Sequence, residues 1–238
     1  MSLAFILMLQ FSFARLEYSS DRAARPEYLQ SKNWFTDFSD TADSMDRQLT
    51  ELLKRTTRID AQPFVQIKPS SPDIFKYPFL YAVEPEQITF TDLEALNMRE
   101  YLQRGGFLMM DDFHGNFELT HVLRELRKLG IRSLQKLTPA HEVFHSLFDL
   151  DEIIQVPVVN SGVACFNEPE TCRTWETQEE EPPVIWIAEI DGRVAVLLAQ
   201  NEDLGDGLEF ADDPQYPLKY SSFSYKFFTN VIVYVLSH

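Results

Sequence analysis

The feature that most constrains the fold is the apolar run FLMMDD at residues 107–112, which lies between two helical patterns. Before it, Thr91 and Glu94 form a capping-box signature, which predicts a helix that ends at RGG, residues 104–106. After it, leucine and valine at helical spacing predict a second helix over residues 116–129. A short apolar run between two helices is typical of a parallel strand buried on both faces. The sequence therefore predicts an α/β fold built around this strand.

The remainder of the chain extends this alternation. Strand-like runs are FSFARLEY (11–18), FVQIKP (64–69), YPFLYAVEP (77–85), VIWIAEI and RVAVLLAQ, and helical patterns cover residues 44–55 and the C-terminal stretch from 220. The dipeptide Asp191-Gly192 between the last two strands is a strong hairpin signal. Without repeats or a convincing linker, we expect one domain, residues 1–238, with a loop or insertion at about 160–183. Strand–helix alternation predicts a three-layer α/β/α sandwich with a mainly parallel sheet.

The charge of the chain excludes one class of partner. Its 21 basic and 37 acidic residues give a net charge of −16, which argues against binding to nucleic acid. Acidic residues concentrate between Glu176 and Asp213, where twelve of them accompany Arg193 as the one basic residue. Such a region suits a cation or a polyhydroxylated ligand, although a solvated surface explains it equally well.

The cysteines and the N-terminus bear on the cellular compartment in which the protein works. Cys165 and Cys172 are close enough for a small disulfide loop in an oxidising compartment, but unpaired thiols fit the spacing equally. The apolar N-terminal run is too short to span a bilayer, so we expect no transmembrane segment in this chain.

Several stretches, taken together, resemble one bacterial family of unknown function. They are FSFARLEY, YPFLYAVEP, MREYLQRGGFLMMDDFHG, HEVFHSLFDLDEI and NEDLGDGLEF, in this order. Members of that family are typically encoded beside MoxR-type AAA ATPases and BatA-like von Willebrand A proteins, and they carry export signals. The resemblance implies a flavodoxin-like, class I glutamine-amidotransferase-like fold related to the ThuA-like proteins. It also implies those two partners and a periplasmic or envelope-associated location, with the signal absent or trimmed in this chain. It implies no activity. This chain departs from the family in a longer, more acidic insertion near Cys165 and in Glu142, where Pro is common.

The first candidate site follows the central strand. Asp111, Asp112 and His114 lie at its end, and Glu84 ends the preceding strand-like run. In open parallel sheets, ligands bind beyond the carboxyl ends of the strands. Glutamine amidotransferases place a Cys nucleophile near this point, but this chain has Asp there and no G-x-S-x-G elbow, so we do not expect amidotransfer. The carboxylates suit a metal, a general base or sugar hydroxyls; alternatively, one caps the next helix and the other is solvated.

The second candidate site is NEDLGDG, residues 201–207, with Asn201, Asp203 and Asp206. Its oxygens suit a hard divalent cation, for which Asp111, Asp112, Asp203 and Asp206 are candidate ligands. An ordinary Gly/Asp turn explains the same residues.

Two further patterns have weaker chemical content. Trp34 with Asp37, together with Arg15 at the end of the first strand, suits a sugar ring, but a core Trp beside a capping Asp is the preferred interpretation. HEVFH, residues 141–145, matches the zinc-protease pattern H-E-x-x-H, and Thr138-Pro139 would begin a short helix there. No third-ligand motif follows, so we interpret His141 and His145 as packed or pocket-lining imidazoles.

These patterns favour a ligand-binding or scaffold module of the bacterial envelope, with a carbohydrate or another small molecule as ligand. The alternative is a hydrolase, metal-dependent in one version, that uses Asp111, Asp112 and His114. The two differ in whether the 201–207 loop faces the same pocket as Asp111 and Asp112.

Overall fold

The computed structural model describes residues 10–20, 34–37 and 44–238. In chain order the strands and helices are β1 Gln10–Phe11, β2 Ala14–Leu16, α1 Met45–Thr56, β3 Asp60–Ala61, β4 Val65–Ile67, β5 Phe79–Val83, α2 Asp92–Gln103, β6 Phe107–Phe113, α3 Gly115–Lys128, β7 Gln135–Lys136, α4 Val159–Asn167, β8 Val184–Ile190, β9 Arg193–Gln200, α5 Leu204–Glu209 and α6 Leu218–Ser237. Short 3₁₀ turns cover Pro72–Lys76, Pro85–Gln87, Glu142–His145 and Pro169–Thr171.

Seven strands form the central sheet, in the order β4-β2-β5-β6-β9-β8-β7. The five strands from β4 to β9 are parallel, whereas β8 and β7 are antiparallel to their neighbours. Asp191 and Gly192, both with positive φ, turn the chain between β8 and β9 as the hairpin signal predicted. The predicted mixed α/β protein with a mainly parallel sheet is confirmed.

Alternate residues of the central strands enter two different hydrophobic cores. Phe79, Tyr81 and Val83 of β5 belong to a core that includes residues of α1 and α6. Leu80 and Ala82 belong to a second core that includes residues of α2 and α3. Every residue of β6 is likewise buried, which accounts for the apolar run Phe107–Met110 that precedes Asp111 and Asp112.

Local sequence signals placed the helices well. The side chain of Thr91 accepts a hydrogen bond from the Glu94 amide, and Glu94 accepts one from the Thr91 amide, so the predicted capping box is formed. Gly105, with φ +104°, follows the end of α2. Helices α1 and α3 each lie within one residue of the predicted limits.

Two predictions of secondary structure need correction. The run FSFARLEY is divided between two sheets: Phe11 ends the short strand β1, and Ala14–Leu16 form β2 of the central sheet. The helix considered at residues 138–148 is only the four-residue 3₁₀ turn Glu142–His145. The reason is that Oδ1 of Asn230 in α6 accepts the backbone N–H groups of Leu147 and Phe148, which an α-helix would bond internally.

Two features bear on the compartment. Cys165 and Cys172, left open by the sequence, form a disulfide. Within residues 10–20, 34–37 and 44–238, no helix is both long and apolar enough to cross a membrane. The apolar residues 1–9 lie outside the described part of the chain.

Candidate functional site

Three neighbouring strands of the sheet each end near a non-glycine residue with positive φ. These residues are Glu84 after β5 (φ +50°), Asp112 in β6 (φ +58°) and Asn201 after β9 (φ +59°). Asp112 lies where the register between β6 and β9 shifts, and such irregularities re-aim side chains. A left-handed backbone at a non-glycine residue is uncommon, and strained positions concentrate at functional sites. The carboxyl ends of these strands are therefore the first place to look for a site.

Asp111 joins this edge to the 201–207 loop. Its Oδ2 accepts hydrogen bonds from the Tyr81 hydroxyl and from the Gly205 amide, both at 3.1 Å. Its Oδ1 is inaccessible to solvent and has no hydrogen-bond partner among the described residues. Burial, followed by the charge of Asp112, raises the pKa of Asp111 to about 8. The loop and the end of β6 thus meet in one place.

Asp203 and Asp206 are held at the start of α5. The side chain of Asp203 accepts from the Asp206 amide at 3.0 Å, and Asp206 accepts from the Val159 amide at 2.5 Å. Burial is the main cause that raises the pKa of Asp203 well above its usual value, and the charges of Asp206 and Asp112 add to it. Burial also raises the pKa of Asp206 to about 7. The carboxyl groups of Asp203 and Asp206 therefore lie close to one another and are largely excluded from solvent.

Asp37 reaches the same point from a separate loop. Arg15 of β2 binds that loop through its Nη1, which donates to the carbonyls of Trp34 and Thr36 at 3.2 and 2.8 Å. Asp46 in turn holds the fully buried Arg15 through contacts of 2.7 to 3.0 Å. Oδ2 of Asp37 is inaccessible and has no hydrogen-bond partner among the described residues. It lies so close to Gly205 that a Cβ at that position would overlap it.

Potential ligand atoms of Asp37, Asp112 and Asp203 all lie within 4.8 Å of one another. Two further groups meet the same criterion: one is Asp112, His114 and Glu176, and the other is Asp37, Asp206 and Glu209. Carboxylate oxygens at such separations are the ligands that hard divalent cations prefer. We call the residues Asp37, Asp112, His114, Glu176, Asp203 and Asp206 the carboxyl-edge centre.

His114 and Glu176 form the outer side of this centre. Nε2 of His114 lies 3.1 Å from Oδ1 of Asp112 and 3.3 Å from Oε1 of Glu176. Glu176 lies four residues after Cys172, in the segment that follows the Cys165–Cys172 disulfide loop. The Thr174 hydroxyl in the same segment donates to Oε1 of Gln155 at 2.7 Å. The insertion therefore supplies a side chain to the centre.

The other two predicted residues at this edge make structural bonds. Oδ1 of Asn201 accepts from the Gly115 amide, and its Nδ2 donates to the Pro182 carbonyl, both at 2.8 Å. The Glu84 amide donates to the Asp111 carbonyl at 3.1 Å. Both residues thus fix the strand ends relative to the loops that follow them, and their predicted ligand binding stays a prediction.

His141 and His145 lie in a different environment, which we call the histidine turn, residues 138–149. Nδ1 of His141 accepts from the Val143 amide at 3.2 Å, and its ring lies beside Tyr234 of α6. His145 contacts Asp149 and the Pro139 carbonyl at 3.0 and 2.7 Å. Among the described residues, neither histidine belongs to a group of three ligand atoms within 4.8 Å.

Three residues of these ligand groups were not among the predicted site residues. Asp37 was interpreted as a capping residue, and Glu176 and Glu209 were noted only as members of the acidic stretch from 176 to 213. That stretch was the available signal for both glutamates, because it also contains Asp203 and Asp206. For Asp37 the available signal was the stretch NWFTDF, in which it accompanies Trp34.

Comparison with known proteins identifies a family for this chain. No curated protein matches the sequence. The family described as "Domain of unknown function (DUF4159)" matches residues 12–236, almost the whole chain. The chain therefore belongs to the DUF4159 family of domains of unknown function.

Proposed function

We propose that this domain binds a divalent cation between Asp37, Asp112 and Asp203 and uses it to hold an oxygen-rich small ligand, such as a carbohydrate. The observation that carries the proposal is the group of ligand atoms from these three residues, all within 4.8 Å of one another. They come from three separate parts of the chain, which meet where ligands bind in open parallel sheets. Oxygen ligands alone favour Mg²⁺, Ca²⁺ or Mn²⁺.

The electrostatics of the metal-free centre disfavour full ionisation of its carboxyl groups, a cost that a bound cation would remove. Burial is the largest cause that raises the pKa of Asp37 and of Asp203, and the charges of neighbouring aspartates raise them further. Each pKa unit corresponds to about 1.4 kcal/mol of disfavoured ionisation. A divalent cation among the same oxygens reverses this cost, because it replaces repulsion between carboxylates with attraction to the metal.

The wider setting of the proposal is a three-layer, flavodoxin-like, amidotransferase-like domain in the bacterial envelope. The two cores, with residues of α1 and α6 in one and of α2 and α3 in the other, support that architecture. The Cys165–Cys172 disulfide is compatible with an oxidising compartment such as the periplasm. MoxR-type AAA ATPase and von Willebrand A partners stay a prediction from the resemblance.

Calorimetric titration of the chelator-treated protein with Mg²⁺, Ca²⁺, Mn²⁺ and Zn²⁺ tests the cation. We expect Asp37→Asn and Asp203→Asn each to weaken binding at least tenfold, since each removes a charged ligand. Asp151→Asn, at an exposed aspartate outside the centre, is the matched control. Binding that is equal in all four proteins, or undetectable in the wild type, would contradict the proposal.

A second candidate function is hydrolysis by water activated on the bound cation. Asp206 favours it, because a ligand oxygen of Asp206 lies within 4.8 Å of one from Asp37. That carboxylate is not needed to complete the first ligand group, so it is available to accept a proton from bound water. A panel of ester, phosphoester and glycoside substrates, assayed with and without Mn²⁺, tests this. Absence of metal-dependent turnover on the whole panel would leave ligand binding as the function.

A further inference from the structure

We propose that a cavity between α3 and the β7 edge of the sheet binds a small amphipathic carboxylate. The apolar body of the ligand lies inside the cavity, and its carboxylate lies on two arginines at the rim. The cavity has a volume of about 200 Å³. Five apolar residues line it: Leu119, Leu123, Ile131, Leu134 and Trp186. It shares no residue with the carboxyl-edge centre and does not depend on the cation proposed there.

The apolar part of the cavity lies at the margin of the core that includes residues of α2 and α3. Leu119, Leu134 and Trp186 pack against that core but are only half-buried, and so is Leu123. Ile131 is buried. Engineered apolar cavities of about 150 Å³ bind benzene. A cavity of about 200 Å³ therefore admits one aromatic ring or a short aliphatic chain.

Trp186 of β8 provides an apolar wall. Its Nε1 donates a hydrogen bond to Oε1 of Gln200 at 2.8 Å, and Nε2 of Gln200 donates to the Gly115 carbonyl at 3.1 Å. The one polar group of the indole is thus satisfied within the protein, and these bonds fix the orientation of the ring. Trp186 therefore offers the cavity apolar surface alone, which suits the ring or chain of a ligand.

Arg127 and Arg132 give the rim of the cavity a positive charge. Both residues line the cavity, and both are exposed. Neither guanidinium forms an ion pair or a hydrogen bond with another residue in the described part of the chain. A guanidinium matches a carboxylate through two parallel N–H bonds. The rim therefore presents two cationic groups that are available to an anionic ligand.

The charge near the cavity is opposite in sign to that of the whole chain. Residues 124–136 contain five basic residues and one acidic residue, although the net charge of the chain is −16. The acidic residue, Glu125, contacts Arg124 at 3.0 Å and Lys128 at 2.7 Å, so it does not neutralise the two arginines of the rim. A polyanion would be repelled by the acidic remainder of the surface. A small monoanion with an apolar body fits both the charge and the cavity.

Calorimetric titration of the full chain with phenylbutyrate tests the rim. This probe has one aromatic ring, a short chain and one carboxylate, and we expect a Kd of about 1 mM or lower. Arg127→Gln and Arg132→Gln should each weaken its binding about threefold, as expected for exposed ion pairs. Phenylbutanol, the matched neutral ligand, should bind to the wild type about tenfold more weakly than phenylbutyrate. Arg55→Gln, at an exposed arginine of α1 outside the cavity, is the control variant and should bind phenylbutyrate like the wild type.

Leu123→Trp tests the apolar part, because a larger side chain at this position should fill the cavity and weaken phenylbutyrate binding at least about tenfold. Leu96→Trp, at an exposed leucine of α2 outside the cavity, is the matched control. Thermal unfolding without ligand shows whether each variant is folded. Undetectable binding of phenylbutyrate to the wild type would overturn the proposal. Equal affinity for the two ligands, or affinity for phenylbutyrate that is unchanged in both arginine variants or in folded Leu123→Trp, would also overturn it.

Discussion

The carboxyl-edge centre and the histidine turn both combine imidazoles with carboxylates, but they satisfy these groups in different ways. At the histidine turn, the two ring nitrogens of His145 contact groups that are close in sequence. Nδ1 contacts Asp149 and Nε2 contacts the Pro139 carbonyl, both at the protein surface. At the carboxyl-edge centre, the carboxylates come from distant parts of the chain and are buried against one another. Two nearby oxygens, in Asp37 and Asp111, have no hydrogen-bond partner among the described residues.

This difference shows why residue spacing alone is a poor guide to a metal site. The pattern H-E-x-x-H has the spacing of a zinc-binding helix, but its residues form a 3₁₀ turn with local partners. The carboxyl-edge centre has no sequence motif, since its residues are brought together by parallel strands and two loops. What distinguishes it is a set of carboxyl groups from distant parts of the chain, several of which have pKa values that burial raises.

The largest effect is expected from the buried ion pair between Arg15 and Asp46, which supports the loop of Asp37. The ion pair of the histidine turn, between His145 and Asp149, is exposed. Asp46→Ala removes the carboxylate that pairs with the buried guanidinium of Arg15, and we expect it to cost about 3–5 kcal/mol of unfolding free energy. Urea denaturation measures this. The matched control in the same helix is Glu51→Ala, which removes an exposed pair with Lys54 and should cost no more than about 1 kcal/mol. Equal losses in the two variants would show that the Arg15 contact does not anchor the loop.

The second prediction concerns pH. The pKa of Asp206 is raised to about 7 and that of Asp111 to about 8, both from 3.8. Between pH 4 and pH 8 the folded protein therefore holds protons that the unfolded chain has lost, so the metal-free protein should lose stability as the pH rises. Thermal unfolding between pH 5 and pH 8 measures the loss, and added Mn²⁺ should restore stability most strongly at pH 8.

Asp111→Asn isolates part of this effect. The amide oxygen of the new side chain can still accept hydrogen bonds from the Tyr81 hydroxyl and the Gly205 amide. The substitution also removes the negative charge that burial disfavours. We expect the variant to exceed the metal-free wild type at pH 8 by on the order of 1–4 kcal/mol, and to match it at pH 5. A wild type that becomes more stable towards pH 8, or a variant that follows the wild type across the range, would contradict the assignment.

The third prediction compares substitutions at two buried asparagines. Asn201 at the carboxyl edge and Asn230 beside the histidine turn each accept a backbone N–H and donate to a backbone carbonyl. Replacing either with Ala should cost about 1–3 kcal/mol through lost hydrogen bonds. Gly should cost less than Ala at position 201, because φ there is +59°, and about 1 kcal/mol more than Ala at position 230, which is inside α6. Urea denaturation of the four variants gives both differences, and the same order at both positions would contradict strain at Asn201.

The parts of the fold that could be predicted depend on local interactions. The capping box at Thr91, the glycine after α2 and the Asp191-Gly192 turn each arise from neighbours in sequence, so their signals are visible there. The burial of β6 was also predictable, because a strand covered on both faces needs an unbroken apolar run. The histidine turn was not, because its backbone donors are taken by Asn230, more than 80 residues away.

The same distinction applies to the candidate site. Asp112 and His114 were predicted to lie at a ligand-binding edge because ligands bind at the carboxyl ends of parallel strands. Whether Asp203 shares that edge was left open. Asp37 and Glu176 were not predicted there, because their positions depend on long-range contacts. Asp37 is placed by Arg15 through the carbonyls of its loop. Glu176 lies on the segment that follows the Cys165–Cys172 disulfide, which the sequence left open. Loops bring functional side chains to a rigid scaffold, and their paths are the part that periodicity does not encode.

The smallest effect is expected at the histidine turn. His145→Ala should change cation affinity less than twofold, because His145 has local partners and lies in none of the ligand groups found among the described residues. Asp37→Asn provides the opposite case, since it should weaken cation binding at least tenfold. Parallel calorimetric titrations of the two variants with Mn²⁺ and Zn²⁺ make the comparison direct. If binding were lost in His145→Ala and retained in Asp37→Asn, the metal site would belong to the histidine turn and the sequence motif would be the better guide.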